Sequence, residues 1–232
     1  MSKPNETYQI LQKKYGNLNW WPIDKSYHLK NNSDPRFEVI VGTILTQNTA
    51  WSNVEKALKN LKKYEMLDLK SIYNCDLEKL AKIIQPSGFF NQKAGRLRNI
   101  GLKLKELHNS DLNSFFDRDI NIIRDELLSY TGIGPETADS IILYAGEKPI
   151  FVVDAYTKRL CQRLPFKTDI SYDSIQNYFQ KELSKKYKGE QLTKVYNQLH
   201  ALIVIHAKEH CRKKPKCNKC PLSNQCSFKK SF

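Results

Sequence analysis

Residues 127–154, LLSYTGIGPETADSIILYAGEKPIFVVD, constrain this chain more than any other stretch: a glycine-bearing turn between two helices is followed by an apolar run and a carboxylate. Apolar periodicity predicts one helix ending near Tyr130 and another running from about Pro135 to Tyr144. Between them lies Thr131-Gly132-Ile133-Gly134. Two glycines there allow positive φ and leave backbone N–H groups uncovered, beside the positive end of the following helix dipole. A phosphate oxygen fits such a cradle. The same turn also serves as a plain helix connector, so the hairpin alone does not choose between the two.

Charge narrows the choice. Thirty-eight Lys and Arg against 24 Asp and Glu leave a net charge of +14, with a pI near 9.4, which favours a polyanionic partner, membrane surface or nucleic acid. No stretch approaches the length of a spanning helix, and Met1-Ser2-Lys3-Pro4-Asn5-Glu6 is too polar to open a signal peptide. The expectation is a soluble monomer in the cytoplasm, at the nucleoid, with no membrane partner. Across 232 residues, 40% of them apolar, the chain is long enough to bury a sizeable core.

Little in the chain would build a sheet. Val39 to Leu45 and Ile150 to Val153 are β-prone, but the remaining segments, such as Leu69 to Ile84 and Leu97 to His108, have helical spacing with polar faces. The reading is nearly all-α, with breaks at 31–35, 85–88, 109–111 and 146–149.

Four of the six cysteines, Cys211, Cys217, Cys220 and Cys226, fall in one short C-terminal loop. Thiolates so close repel unless oxidised or neutralised by metal, and an intracellular chain disfavours disulfides. Spacing alone leaves zinc and an iron–sulfur cluster open, because both accept four cysteine sulfurs. Ligation would hold Arg212, Lys213, Lys214, Lys216 and Lys219 on a rigid basic surface. Cys75 and Cys161 stand alone in helical context and read as core residues. His206 and His210 read as part of the helix leading into the loop rather than as a metal pair.

Thr137-Ala138-Asp139-Ser140-Ile141 follows the hairpin, and after a β-branched run comes Phe151-Val152-Val153-Asp154-Ala155-Tyr156-Thr157-Lys158-Arg159-Leu160. With the hairpin, this resembles the helix-hairpin-helix (HhH-GPD) DNA glycosylases of the endonuclease III superfamily. The resemblance implies an all-α, two-lobed fold with a C-terminal iron–sulfur loop and double-stranded DNA containing a damaged base as partner. Residues 1–30 and 146–210 would form one lobe, 31–145 the middle lobe, and 211–232 the cluster loop and tail. It makes Asp154 catalytic, a role compatible with an N-cap that keeps the carboxylate ionised. Gly132, Gly134 and Thr137 become DNA contacts. Cys211, Cys217, Cys220 and Cys226 become ligands of a [4Fe–4S] cluster, with zinc as the alternative; the first gap is five residues where relatives usually have six. Strand-cutting members carry a lysine where this chain has Glu136, and a carboxylate cannot form an imine, so the resemblance implies base hydrolysis alone. Lys158 is the substitute candidate.

A closer resemblance rests on Trp20-Trp21-Pro22, on Thr46-Gln47-Asn48-Thr49 with Trp51 beyond it, and on Pro86-Ser87-Gly88-Phe89-Phe90-Asn91-Gln92-Lys93-Ala94. These are similar to the type III 3-methyladenine DNA glycosylases, in which the matching positions Trp21, Pro22 and Trp51 line the base pocket. Electron-rich indoles hold an N-alkylated, cationic base better than a neutral one. Flipping a nucleotide out leaves a gap to be filled, and Gln47 and Phe89 are the candidate plugs. This chain departs from that branch in its four-cysteine tail and in Leu202, where the branch has lysine two positions after the histidine matching His200. Two alternatives stand beside it: an endonuclease III-type glycosylase and lyase acting on oxidised pyrimidines, and a DNA-binding protein without catalysis.

Overall fold

A computed structural model describes residues 2–228. The described residues include thirteen α-helices and a 3-10 turn at Gln85–Ser87, and no strand forms among them. Contacts divide the chain into two compact units, Met1–Trp20 with Glu147–Phe232, and Trp21–Gly146. The N-terminal contribution thus stops at Trp20, short of residue 30, and the Trp20-Trp21 pair straddles the division.

The discontinuous unit contains α1 (Pro4–Tyr15), α11 (Ala155–Arg163), α12 (Tyr172–Ser184) and α13 (Gly189–Glu209). The run at 150–153 forms no helix and no strand. Gln180 Oε1 accepts the Phe151 N–H at 2.9 Å, and Gln176 Nε2 donates to the Phe151 carbonyl at 2.7 Å. Two glutamines of α12 therefore satisfy both backbone groups of Phe151. The Phe151 ring stacks on Phe179 at 4.8 Å, fixing the approach to Asp154.

The continuous unit contains α2 (Lys25–Asn31), α3 (Pro35–Thr46), α4 (Trp51–Lys63), α5 (Leu69–Asn74), α6 (Leu77–Ile83), the 3-10 turn Gln85–Ser87, α7 (Phe90–His108), α8 (Leu112–Phe116), α9 (Ile120–Ser129) and α10 (Pro135–Tyr144). Val39 to Leu45, β-prone by composition, is the middle of α3. Asp34 caps that helix through the Arg36 N–H and Pro35 occupies its first position, so the start signal overrides the β-branched content. The helix is buried from Phe37 through Leu45, so its sequence shows no polar face to betray the period. The spacing from Leu69 to Ile84 resolves into α5 and α6, because Asp76 caps a new helix through the Lys79 N–H. No helix among the described residues is long and apolar enough to cross a membrane.

Candidate nucleic-acid interface and catalytic carboxylate

The hairpin forms where the glycines predict, between α9 and α10. Only Gly132 uses positive φ, at +83°. Gly134 is the extended N-cap of α10, with φ −98° and ψ 177°, a backbone any residue adopts, so the expectation of two left-handed glycines holds for one of them. Ile133 anchors the turn in the core, while Thr131, Gly132, Gly134 and Glu136 are exposed. Thr137 is buried instead, and its hydroxyl accepts a 3.0 Å hydrogen bond from Gln47 Nε2.

Gln47 is the C-cap of α3, and its side chain is engaged by both the hairpin and α7. Nε2 also donates to the Gly132 carbonyl at 3.0 Å, while Oε1 accepts from Arg96 Nη1 on α7. Phe89 behaves differently: its backbone is left-handed, with φ +45° directly after Gly88 at +65°, and its side chain is 64% exposed. A buried loop anchor is excluded for it.

Lys93 joins these two segments, a connection that the sequence motif contained without revealing its purpose. Its side chain is 1% exposed, and Nζ donates to the Leu45 carbonyl at 2.8 Å, Thr49 Oγ1 at 2.9 Å and the Ser87 carbonyl at 2.7 Å. Burial, with Arg96 nearby, lowers the amine to about 8. One buried ammonium thus ties the turn carrying Gln47 to the loop carrying Phe89.

The tryptophans of this unit meet edge to face. Trp21 and Trp51 have centroids 5.1 Å apart at 87°, and Tyr144 lies 5.5 Å from Trp21 as a third aromatic that the sequence motif did not flag. No base fits between perpendicular rings at that distance; one would have to lie on an open face. Pro22 and Trp51 line a cleft of about 380 Å³ together with Asp24, Glu38, Glu55 and Lys62. Glu38 is buried beneath it, accepting from His28 at 2.9 Å and Lys62 at 2.7 Å. Trp21 instead lies against Gly42 of α3, where a Cβ would come within 2.9 Å of Cζ2. Gly42→Ala is therefore expected to displace the Trp21 ring at a cost of about 1–3 kcal/mol. Thermal unfolding and tryptophan fluorescence would register it, and unchanged spectra would contradict the contact.

In the other unit, Asp154 is 8% exposed and caps α11, accepting the Thr157 N–H on Oδ1 at 2.7 Å. His200 of α13 brings Nε2 to 3.6 Å from Oδ2. Burial pushes this carboxyl up, but the imidazole and the Thr157 N–H outweigh it and hold it below the ordinary carboxylate range. A buried, ionised carboxylate results. His200 was found in the sequence only as an alignment landmark; nothing in its spacing from residue 154 predicts the pairing. Lys158, on the same helix, has its ammonium 5.8 Å over the Tyr172 ring.

The cysteine loop follows α13. Cys211, Cys217, Cys220 and Cys226 line one pocket with His206, His210, Leu160, Leu164, Leu222 and Phe228. Burial raises the Cys220 thiol, and the other three cysteines raise it further, so the four sulfurs are near enough to repel. Among the described residues no three ligating groups stand at the spacing of a single metal ion. Tetrahedral zinc would need sulfurs within roughly 4 Å of one another, given Zn–S bonds of about 2.3 Å. A cubane takes one thiolate at each iron corner, and four thiols lining one pocket are a donor set that either group could use. The loop is held from α11: Arg159 Nε donates to the Cys211 carbonyl at 2.7 Å, and Arg163 donates to Cys211 Sγ at 3.2 Å and the Arg212 carbonyl at 2.7 Å. Burial, with His210 beside it, lowers His206 to about 4, leaving a neutral imidazole 3.9 Å from Cys220 Sγ. Cys75 is buried as expected; Cys161 is partly exposed on α11, and burial pushes its thiol up to about 12.

An all-helical fold with a glycine hairpin and a capped, buried aspartate defines a class of DNA-repair proteins. The family model described as HhH-GPD superfamily base excision DNA repair protein matches residues 41–185, and the chain belongs to that family, the glycosylases of the endonuclease III superfamily. It is 46% identical over 89% of its length, and 88% of the relative's, to a Methanocaldococcus jannaschii protein provisionally named a DNA repair glycosylase. Endonuclease III of Sulfolobus acidocaldarius is 27% identical over 92% of this chain and 90% of its own. Among solved structures, the 3-methyladenine DNA glycosylase of H. pylori bound to 1,N6-ethenoadenine is 30% identical, with TM-score 0.66 over 87% of this chain and 97% of that one. A trapped endonuclease III–DNA covalent intermediate shares the fold at TM-score 0.76 and 22% identity, over 100% of this chain and 99% of that one.

Proposed function

We propose that the protein is a monofunctional DNA glycosylase, acting as a monomer on double-stranded DNA at the nucleoid and releasing alkylated purines of the 3-methyladenine kind. The observation that carries the chemistry is Asp154: a carboxylate kept ionised inside the protein stabilises positive charge developing at C1′ of the sugar. Water held by that carboxylate attacks C1′ as the N-glycosidic bond breaks, its proton passing to Asp154 and on to solvent. The bonding pair leaves with the base, neutralising the ring charge that alkylation placed there, so little acid catalysis is required. Trp21 and Trp51, with Pro22, supply the aromatic surface for a cationic base. The 30% identity to a 3-methyladenine glycosylase supports the same substrate class.

Gly132 and Gly134 present the hairpin backbone to phosphate, with Thr137 just inside it, while Gln47 and Phe89 enter the duplex when the base leaves. Glu136 stands exposed in the first turn of α10, where its charge suits the helix dipole and no imine can form. Cys211, Cys217, Cys220 and Cys226 would hold a [4Fe–4S] cluster, zinc being the alternative. When bound, the cluster supplies cross-linking of the loop.

The four-cysteine loop and the Sulfolobus relative favour a second reading, endonuclease III-type excision of oxidised pyrimidines. One gel separates the two. Methylated duplex and an oligonucleotide with an oxidised pyrimidine are incubated with the protein, and strands are resolved with and without alkali. The expected result is methylpurine release with breaks only after alkali. Breaks at the oxidised base without alkali would overturn the monofunctional reading and point to a lysine such as Lys158.

A further inference from the structure

We propose that Arg96 is a DNA-phosphate contact whose guanidinium is held at rest by Gln47, so that docking of the hairpin on a phosphate and release of Gln47 are a single event. Arg96 is half-buried on α7 and lies across Gly132 so closely that any Cβ at that position would strike its side chain. Its Nη1 is given to an uncharged acceptor, Gln47 Oε1. Lys93, one helical turn earlier, spends its ammonium on three uncharged oxygens. Among the described residues neither cation meets a carboxylate within ion-pair distance, and the like charge of Arg96 weighs on Lys93. Two adjacent cations therefore stand beside an exposed glycine turn at a helix N-terminus, neither in ion-pair contact with a carboxylate among the described residues.

A phosphate oxygen would outbid an amide for that guanidinium, since charge-assisted bonds are roughly twice as strong as neutral ones and the planar fork suits phosphate. Once Arg96 turns to phosphate, Gln47 loses the partner of its Oε1 and keeps only its weaker bonds to the Gly132 carbonyl and Thr137. The coupling half of this inference rests on Gln47 being a plug; the contact half does not.

Two measurements test it on the full-length protein. The first is the salt dependence of binding to undamaged duplex, which needs no catalysis. Arg96→Met should flatten the slope of log K against log salt by about 0.9, the value for one phosphate, and Arg96→Lys should restore it, with folding checked by thermal melting. An unchanged slope in folded Arg96→Met, or a loss that Arg96→Lys does not restore, would overturn the contact. The second is a double-mutant comparison of single-turnover base release. Arg96→Met and Gln47→Ala together should lose no more than the worse single variant, and fully multiplicative losses would overturn the coupling. If Gln47→Ala alone leaves base release unchanged, the plug reading fails, and the slope still decides Arg96.

Discussion

Asp154→Asn is expected to abolish base release while leaving the protein folded and able to bind DNA. Asparagine keeps an oxygen that accepts the Thr157 N–H, so the cap on α11 survives. What disappears is the negative charge, and losing one pre-placed electrostatic group of this kind costs on the order of 10³-fold in rate. Asp154→Ala removes the cap as well and should lower stability by a further ~1 kcal/mol relative to the asparagine variant. Single-turnover release from methylated duplex, thermal melting and a binding isotherm measure the three quantities separately. An asparagine variant that turns over normally would sink the catalytic assignment. The pH profile follows from the same carboxyl. Its value lies below the ordinary carboxylate range in the folded protein, so its contribution to stability is complete above that range and fades as pH falls through the depressed value. Base release should therefore hold its rate down through mildly acidic pH and drop only below the ordinary carboxylate range.

Replacing Cys220 by serine is expected to have the second large effect. The loop has one buried apolar anchor, Leu222, and is otherwise fastened by Arg159, Arg163 and the end of α13. Without ligation, Cys220 sits in a pocket where burial and three other thiols disfavour its charge. Protein purified without oxygen should contain iron and inorganic sulfide in equal amounts, and Cys220→Ser should lose both together. Affinity for duplex should fall with the metal, because Arg212, Lys213, Lys214, Lys216 and Lys219 would no longer sit on a fixed surface; with several phosphate contacts at stake, the loss should reach ~10-fold or more at moderate salt. Zinc in place of iron would overturn the cluster assignment but leave the cross-linking role intact.

Much of this architecture was legible because its signals are local. Asp154 caps α11 by accepting the Thr157 N–H, the break at 31–35 holds the Asp34 cap of α3, and Gly132 marks the turn that needs positive φ, whereas the Asp76 cap divides a segment whose spacing reads as continuous. The illegible parts depend on partners distant in sequence. The apolar run of α3 shows no polar face because neighbours cover every side of it. The run at 150–153 forms no strand, and Gln176 and Gln180 of α12 satisfy the backbone of Phe151 within it. His200 beside Asp154, Arg163 at the cysteine loop, Gly42 under Trp21 and Tyr144 near it are likewise ordinary residues until the chain folds. Gly134 shows the opposite error: a glycine in a suggestive place whose backbone angles require none.

Lys93 bears on how such a chain can vary. Its ammonium is shared between the turn after α3 and the loop before α7, and it has no spare reach: the three acceptors surround it at 2.7–2.9 Å. An insertion or deletion in either segment would strand the amine in the interior with oxygens missing, a cost that a surface loop of the same length would escape. The two segments are thus bound to a common length, and lineages of this chain should exchange side chains at positions 47 and 89 far more freely than they change the number of residues around them.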